Sequence, residues 1–367
     1  MSGARNVIAA VVMVVLVALP LVGSDFFISF VMTRSVMLGL AASTIVFLSA
    51  YGGMVSLAQF LMFGIAGFMV GNAVGEAGSK GLKLGWNPWV AVVFALVVTT
   101  AVALLLGALS ARTAGIYFLM LTLTYAVIGY YFFGQVTTFS GFGGITGIDP
   151  PALFDGHPVR LYYACVALSV VTYVGLRLLV RTPFGMALQG VRDDPVRMSS
   201  LGFNVSVHRT LAFGLAGLIA GVAGVLNIWW NGQIDPTSIS IGPTLDLLII
   251  AVIGGIAHLE GAWLGAFVFV IANNYMRNLP FADTIGLTEA RFNTVVGLLV
   301  LLVMLLSPDG LVGVALRVRN AIDSFTGRSG SDAEGADSAD DHEIAIAVGD
   351  ATGRSAVPSQ TTEGSIR

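Results

Sequence analysis

The sequence predicts an all-α, polytopic transmembrane helix bundle of about eight to ten spans. Three observations predict it. Of 367 residues, 56% are hydrophobic and only 11% charged, where a soluble protein carries about 25% charged residues. Mean hydropathy is +0.87. The apolar residues gather in runs near 7–22, 28–50, 54–74, 88–110, 114–133, 159–180, 208–230, 243–258, 261–277 and 292–306. Each run is near the ~20 residues that carry a helix across the hydrocarbon core. The 45 glycines fit this setting, because small residues let membrane helices approach closely.

Taken in order, the first run follows Arg5 and ends at Leu21–Val22–Gly23–Ser24–Asp25. It lacks a small-x-small cleavage site and is read as a first span rather than a removed signal. Tyr51–Gly52–Gly53 barely separates the second run from the third, and His258–Leu259–Glu260 the eighth from the ninth. Each is a boundary between spans or a break within one. Irregular backbone at membrane depth is tolerated only where protein or a water-filled path surrounds it. Gly52–Gly53 with Leu57 and Gly64 faintly echoes Gly254–Gly255 with Leu259 and Gly265. Gly214, Gly217, Gly221 and Gly224, with Ala212, Ala216 and Ala220, form small-residue faces that pack internally or on another subunit. Trp229–Trp230, Tyr130–Tyr131 and Phe132–Phe133 read as anchors at the membrane interface.

Basic residues divide unevenly between the two sides. Ten spans put Arg5, Arg112, the 181–209 loop, Arg317 and Arg319 together, opposite Arg34, Lys80, Lys83, Arg160 and Arg277. The bias places both termini and that loop in the cytoplasm. Residues 1–316 form the membrane domain. Residues 317–367 are rich in Gly, Ser, Asp and Glu and read as a disordered acidic tail.

Several functions are excluded at this level. The single Cys165 rules out an intrachain disulfide. No basic cluster dense enough for nucleic acid is present. The chain lacks a G-x-x-x-x-G-K-[S/T] phosphate loop. His157, His208 and His258 each stand alone, with no metal-ligand or Ser/His/Asp constellation around them. The chain therefore reads as a transport subunit rather than an enzyme, with no bound metal or cofactor.

The most informative stretch is the polar island between the sixth and seventh runs. Thr182 is an N-cap and Pro183 a first helical residue, so a short helix follows from Phe184 to about Gln189, with Gly185 inside it. Asp193 or Asp194 caps a second short helix at Pro195, and Gly202, after Leu201, suits its end. Exposed Arg192 and Arg197 then make a docking surface. Polar residues within spans are costly and so are pathway candidates: Ser56, Gln59, Asn72, Thr122, Thr124, Gln135, Asn227, Asp246, Asn273 and Asn274. Hydrogen bonding between helices is the plainer reading for most of them. Asp246 is the sharpest, since a carboxylate near the start of a span needs a partner or water. His258 and Glu260 read as a cytoplasmic turn.

Arg181–Gly185, Val191–Pro195 and Leu201–Asn204, followed by the Ala/Gly-rich span, resemble the cytoplasmic loop of branched-chain amino-acid ABC importer permeases of the LivM type. Gly52–Gln59 resembles the family's G-x-G-x-x-S-L-G-H region, with Gln59 where the histidine usually stands. Gly115–Phe118 with Leu121–Leu123 resembles G-x-Y-F-x-x-x-T-L, which adds Tyr117 to the pathway candidates. Thr138–Gly147 resembles an external T-G-G-x-x-G-L loop. The stretch from Ile253 through Gly254, Gly255, Gly261, Gly265 and Ala266 resembles a Gly-rich G-G-x-G-S segment. Pro308–Leu311 fits a closing P-x-G-L. The loop departs from the family pattern at Gln189–Gly190 and Arg197–Met198.

The resemblance implies a prokaryotic inner-membrane permease subunit. Cytoplasmic ATPase subunits would dock on 182–204 and carry the ATP. A second, homologous permease would complete the pathway, and an extracytoplasmic binding protein would deliver an amino-acid substrate. A urea or short-amide importer permease is the runner-up. A stand-alone secondary transporter or channel working through Asp246 is the alternative of another class.

Overall fold

The structure is a computed structural model that describes residues 27–75, 82, 84–154 and 157–277, with single positions at 297, 310, 311, 313 and 317. The first and almost all of the tenth apolar run, and the tail beyond Arg317, lie outside the described residues. The helices described below belong to one compact unit, Met1–Val314.

A π-helical turn, Phe27–Met32, leads into α1, Thr33–Gly52. Then come α2 (Gln59–Val74), α3 (Pro88–Ser110), α4 (Gly115–Gln135) and α5 (Pro158–Val180). The island holds α6 (Pro183–Asp193) and α7 (Pro195–Ser200). The chain continues with α8 (Val205–Asn231), α9 (Ile241–Gly254) and α10 (Gly261–Arg277). The π turn with α1, together with α3, α4, α5 and α8, makes five helices long and apolar enough to cross a membrane; α2, α9 and α10 are apolar but shorter. Eight of the predicted runs are therefore helices, and three of these are short because breaks consume part of their length.

Burial divides the helices by role. α1 is apolar all round and almost wholly buried, as a helix inside a bundle must be. α3, α4 and α5 bury narrow stripes of Ala, Gly, Thr and aromatic residues and turn Val93, Val97, Leu105, Ile128 and Val171 outward. Outward faces of that kind suit acyl chains, where apolar exposure carries no penalty.

The glycine stripe of α8 packs internally. A Cβ on Gly221 would meet Thr99 of α3 at 3.2 Å, and Gly107 of α3 takes the Phe213 side chain at 3.0 Å. At Gly224 the backbone of α2 itself is the neighbour, with the Phe63 carbonyl carbon at 2.7 Å from a Cβ position. The aromatic pairs divide. Phe133 is no surface anchor: it is buried and stacks on Phe68 at 4.1 Å, 9° from parallel. Trp229 is also buried, against Phe154 and Trp89.

The bundle has two unlike ends. Arg112, Arg181, Arg192, Arg197 and Arg209 lie at the island end, where Arg209 reaches the carbonyls of Ala111 and Thr113. Arg34 and Arg160 lie at the other. There β1 (Ile145–Thr146) pairs antiparallel with β2 (Gln233–Ile234), Ile145 opposite Ile234.

Each end also carries a break. At the island end α1 stops at Gly53 (φ 64°), irregular chain runs on from Gly53 to Ala58, and α2 begins. At the other end α8 stops at Gly232 (φ 65°), the chain passes β2 and a 3-10 turn (Pro236–Ile239), and α9 begins. The Gly254–Gly255 echo also lies at the island end: α9 stops at Gly254, Gly255 has φ 113°, and 255–260 leads into the short helix α10.

Candidate functional site: a capped two-helix island beside two broken segments

The island folds by local rules. The Thr182 hydroxyl accepts from the Gly185 N–H at 3.4 Å, and Pro183 fills the first helical position. The helix runs on to Asp193, past the predicted end near Gln189, because Leu188 and Val191 extend its buried face. Asp194, not Asp193, is the second cap: its Oδ1 accepts from Val196 N at 3.0 Å and Arg197 N at 2.9 Å. After Leu201, Gly202 turns the chain at φ 89°. His208 stacks on Phe184 at 5.6 Å and meets Phe203 edge-on, tying α6 to the start of α8.

Arg192 and Arg197 are both exposed, as the sequence suggests, but Arg192 also has a partner in the bundle. Arg192 donates through Nη1 to the Ala50 carbonyl, and its Nε donates to Asp193 Oδ1 at 2.8 Å. Its Cγ lies 2.7 Å from where a Gly53 Cβ would stand, and Leu188 comes within 3.9 Å of the Gly52 position. Gly52, Gly53 and Arg192 are therefore one assembly. Ala50 carries one of the last carbonyls of α1, which has no partner within its own helix; a guanidinium satisfies it and matches the helix dipole.

A second ionic group lies at the same end. Arg177 of α5 pairs with Glu260, which also accepts from the Tyr173 hydroxyl at 2.8 Å. Tyr51 lies within electrostatic reach of Glu260, Arg177 and Arg192. Sequence reading passes over Arg177, although a basic residue inside an apolar run carries the signal that would have found it. Burial opposes ionisation of Glu260. The backbone hydrogen bond at Glu260, the Tyr173 hydroxyl, Arg177 and His258 outweigh it and hold the carboxyl below its ordinary value of 4.5. A lowered carboxylate contributes stability that is complete above the ordinary pKa and lost as pH falls through the lowered one. The gap in melting temperature between the native chain and Glu260→Gln is expected to stay constant from pH 7 to about 5.5 and to close below about 4.5, measured by thermal unfolding in detergent.

Deeper in the bundle, Ser56, Gln59 and Thr122 come together around the first break, all fully buried. The break frees backbone donors at membrane depth, and side chains satisfy them. Thr122 Oγ1 accepts from Leu57 N at 3.1 Å, and Ser56 Oγ accepts from Ala58 N at 3.3 Å. Gln59 Nε2 reaches Ser56 Oγ at 3.5 Å, while its Oε1 has no partner among the described residues. Thr122→Val keeps the shape and removes the acceptor. It is expected to destabilise the chain by about 1–3 kcal/mol, seen as a lower melting temperature.

The other candidates stand apart from that group. Tyr117 is 74% exposed on the outer face of α4. Asp246 lies near the start of α9, half-buried, with Arg34 as its opposite charge. Asn273 is half-buried toward the end of α10. Gly254 and Gly255 abut Gly261 and Gly310 backbone to backbone, with Gly255 Cα 2.5 Å from a Gly310 Cβ position.

Fold and site together define a class: a polytopic helical membrane protein with a capped two-helix island beside broken spans. A family model described as branched-chain amino acid transport system / permease component matches residues 27–307, and the chain belongs to that family. It is 28% identical over 179 residues to the high-affinity branched-chain amino acid transport permease LivM of Salmonella typhimurium, covering 49% of this chain and 39% of that protein. Across 299 residues, 75% of this chain and 84% of the relative, it is 24% identical to a probable branched-chain amino acid transport permease LivM of Methanocaldococcus jannaschii. An autoinducer 2 import system permease, LsrC of Enterobacter, is 28% identical over 212 residues, 54% of this chain and 60% of the relative. The matched part spans about two fifths of the Salmonella relative's length. No solved structure matches the chain.

Proposed function

We propose that this chain is a membrane-spanning permease subunit of an ATP-driven ABC importer for branched-chain or related hydrophobic amino acids. The island carries the reading: two capped helices, one of them with no buried residue, standing beside a bundle whose family members are permease components. Separate cytoplasmic ATPase subunits dock on 182–204 and hydrolyse the ATP. A second permease completes the pathway, and a binding protein delivers substrate at the β1–β2 end. The island end and both termini face the cytoplasm of the inner membrane. Ser56, Gln59 and Thr122 are the polar groups a zwitterion meets when the first break opens, with Tyr117, Asp246 and Asn273 as further candidates. Gly52, Gly53, Gly254 and Gly255 are the backbone that bends.

The test is a tagged purification from native membranes in mild detergent, followed by mass spectrometry and uptake assays. P-loop ATPases and a second permease are expected to come with the chain, and leucine to enter reconstituted vesicles. Co-purification with uptake of urea but not leucine overturns the substrate class. A chain that purifies alone overturns the importer reading and moves attention to ion-coupled transport around Asp246.

A further inference from the structure

Two arginines from one stretch of chain hold both irregular segments of the island end. Arg177 is near the end of α5, and Arg192 is in the last turn of α6. Arg192 binds the Ala50 carbonyl, the last turn of α1, and packs its side-chain stem on Gly53. Arg177 binds Glu260, the last residue of the turn between α9 and α10. Tyr51, beside Gly52, senses both arginines and Glu260, so the two grips are neighbours within one cluster.

We propose that Arg192, on the docking island, and Arg177, in the last turn of the α5 helix that leads into it, are positioning residues that fasten the island and its stem to the two broken segments, 53–58 and 255–260, and carry their movement to them. The inference rests on the permease reading for its purpose, though not for its geometry. Three features support it. Arg192 donates to the Ala50 carbonyl a hydrogen bond that no residue of α1 supplies. Gly53 has a positive φ and no room for a Cβ against Arg192, so the break and the island are in direct contact. Energetic coupling travels through contiguous packed side chains and ion pairs, and here the chain of contacts from α6 to the break is one residue long. A fastening of this kind is as much a constraint on rest as a route for motion. Without it the breaks move independently of the island.

Two measurements test it. Hydrogen–deuterium exchange on the purified chain reads the fastening alone. Arg192→Gln is expected to speed exchange at 53–58 at least tenfold, and Glu260→Gln to do so at 255–260, while 145–148 at the far end is unchanged. Arg192→Lys keeps a donor for Ala50 and is expected to restore protection. Unaltered exchange in both Gln variants overturns the proposal. So does an equal rise at 145–148, which signals general loosening. The second measurement is leucine uptake per ATP hydrolysed by the reconstituted complex. Arg192→Gln and Glu260→Gln are expected to retain the ATPase subunits yet lose at least tenfold in that ratio. The swap Arg177→Glu with Glu260→Arg is expected to recover part of it. A ratio equal to the native one overturns transmission. If the native chain retains no ATPase, the permease reading fails, and the exchange result still decides whether the arginines hold the breaks.

Discussion

Gly224→Leu is expected to prevent the chain from accumulating as a folded, monodisperse membrane protein. The reason is the kind of atom that stands in the way. A Cβ at Gly224 would overlap the Phe63 carbonyl oxygen, with the Phe63 carbonyl carbon at 2.7 Å and Cα at 3.0 Å. A flexible side chain can rotate away from a methyl group; a helix backbone cannot. α2 and α8 would have to separate along the stripe that also seats Gly217 and Gly221 against α3. Losses above about 4 kcal/mol arise from such overpacking, and Gly224→Ala alone is expected to cost most of that. Gly175 is the internal control, because nothing lies within 4 Å of its Cβ position. Gly175→Ala improves helix propensity and is expected to leave the melting temperature unchanged or raised. Size-exclusion chromatography and thermal unfolding in detergent check both. Equal behaviour of the two variants would refute close α2–α8 packing.

The contrast between these glycines shows what a sequence of this kind makes legible. Apolar run length finds the helices, since a span must satisfy its backbone within itself. The caps of the island are equally local: Thr182–Pro183 and Asp194–Pro195 act on residues two or three positions away. Gly214–Gly224 announce close packing through their spacing, but not their partner, which is settled by α3 and α2 from over a hundred residues upstream. Arg192 escapes in the same way. Its neighbourhood suggests an exposed charge, which it is, but only the fold brings the Ala50 carbonyl, 142 residues distant in sequence, to meet it. Phe133 is misplaced by the reverse error. An aromatic near a span end reads as an interfacial anchor, yet α2 puts Phe68 beside it. The irregular backbone at 53–58 is visible from Gly52–Gly53. The polar groups that satisfy it come partly from α4, through Thr122, and spacing alone offers no means of choosing that residue.

Docking of the proposed ATPase subunits is expected to depend on the exposed apolar side chains at 196 and 201 more than on the charges of the island. Reversing Arg192, Asp193 and Asp194 together is a poor test of docking, because Arg192 holds α1 and Asp194 caps α7. Removing a cap alone costs about 0.5–2 kcal/mol. Val196 and Leu201 are different. They are 74% and 65% exposed, Val196 lies in α7, which has no buried residue of its own, and Leu201 directly follows it, and Met198 already supplies the contact of α7 with Gly190 of α6. Apolar side chains gathered on a polar island mark a surface made to be covered. Val196→Asp with Leu201→Asp forces a partner to bury two carboxylates without counter-charges, a cost of several kcal/mol each. A weakening of at least a hundredfold, about 2.7 kcal/mol, is expected, enough to remove the ATPases from a tagged purification. The melting temperature of the chain is expected to be unchanged, since both side chains are mostly exposed. Native recovery of ATPases in this double variant would place the docking surface elsewhere on the chain. Their loss with an unaltered melting temperature separates an interface from a fold defect, which reversing the three charges does not.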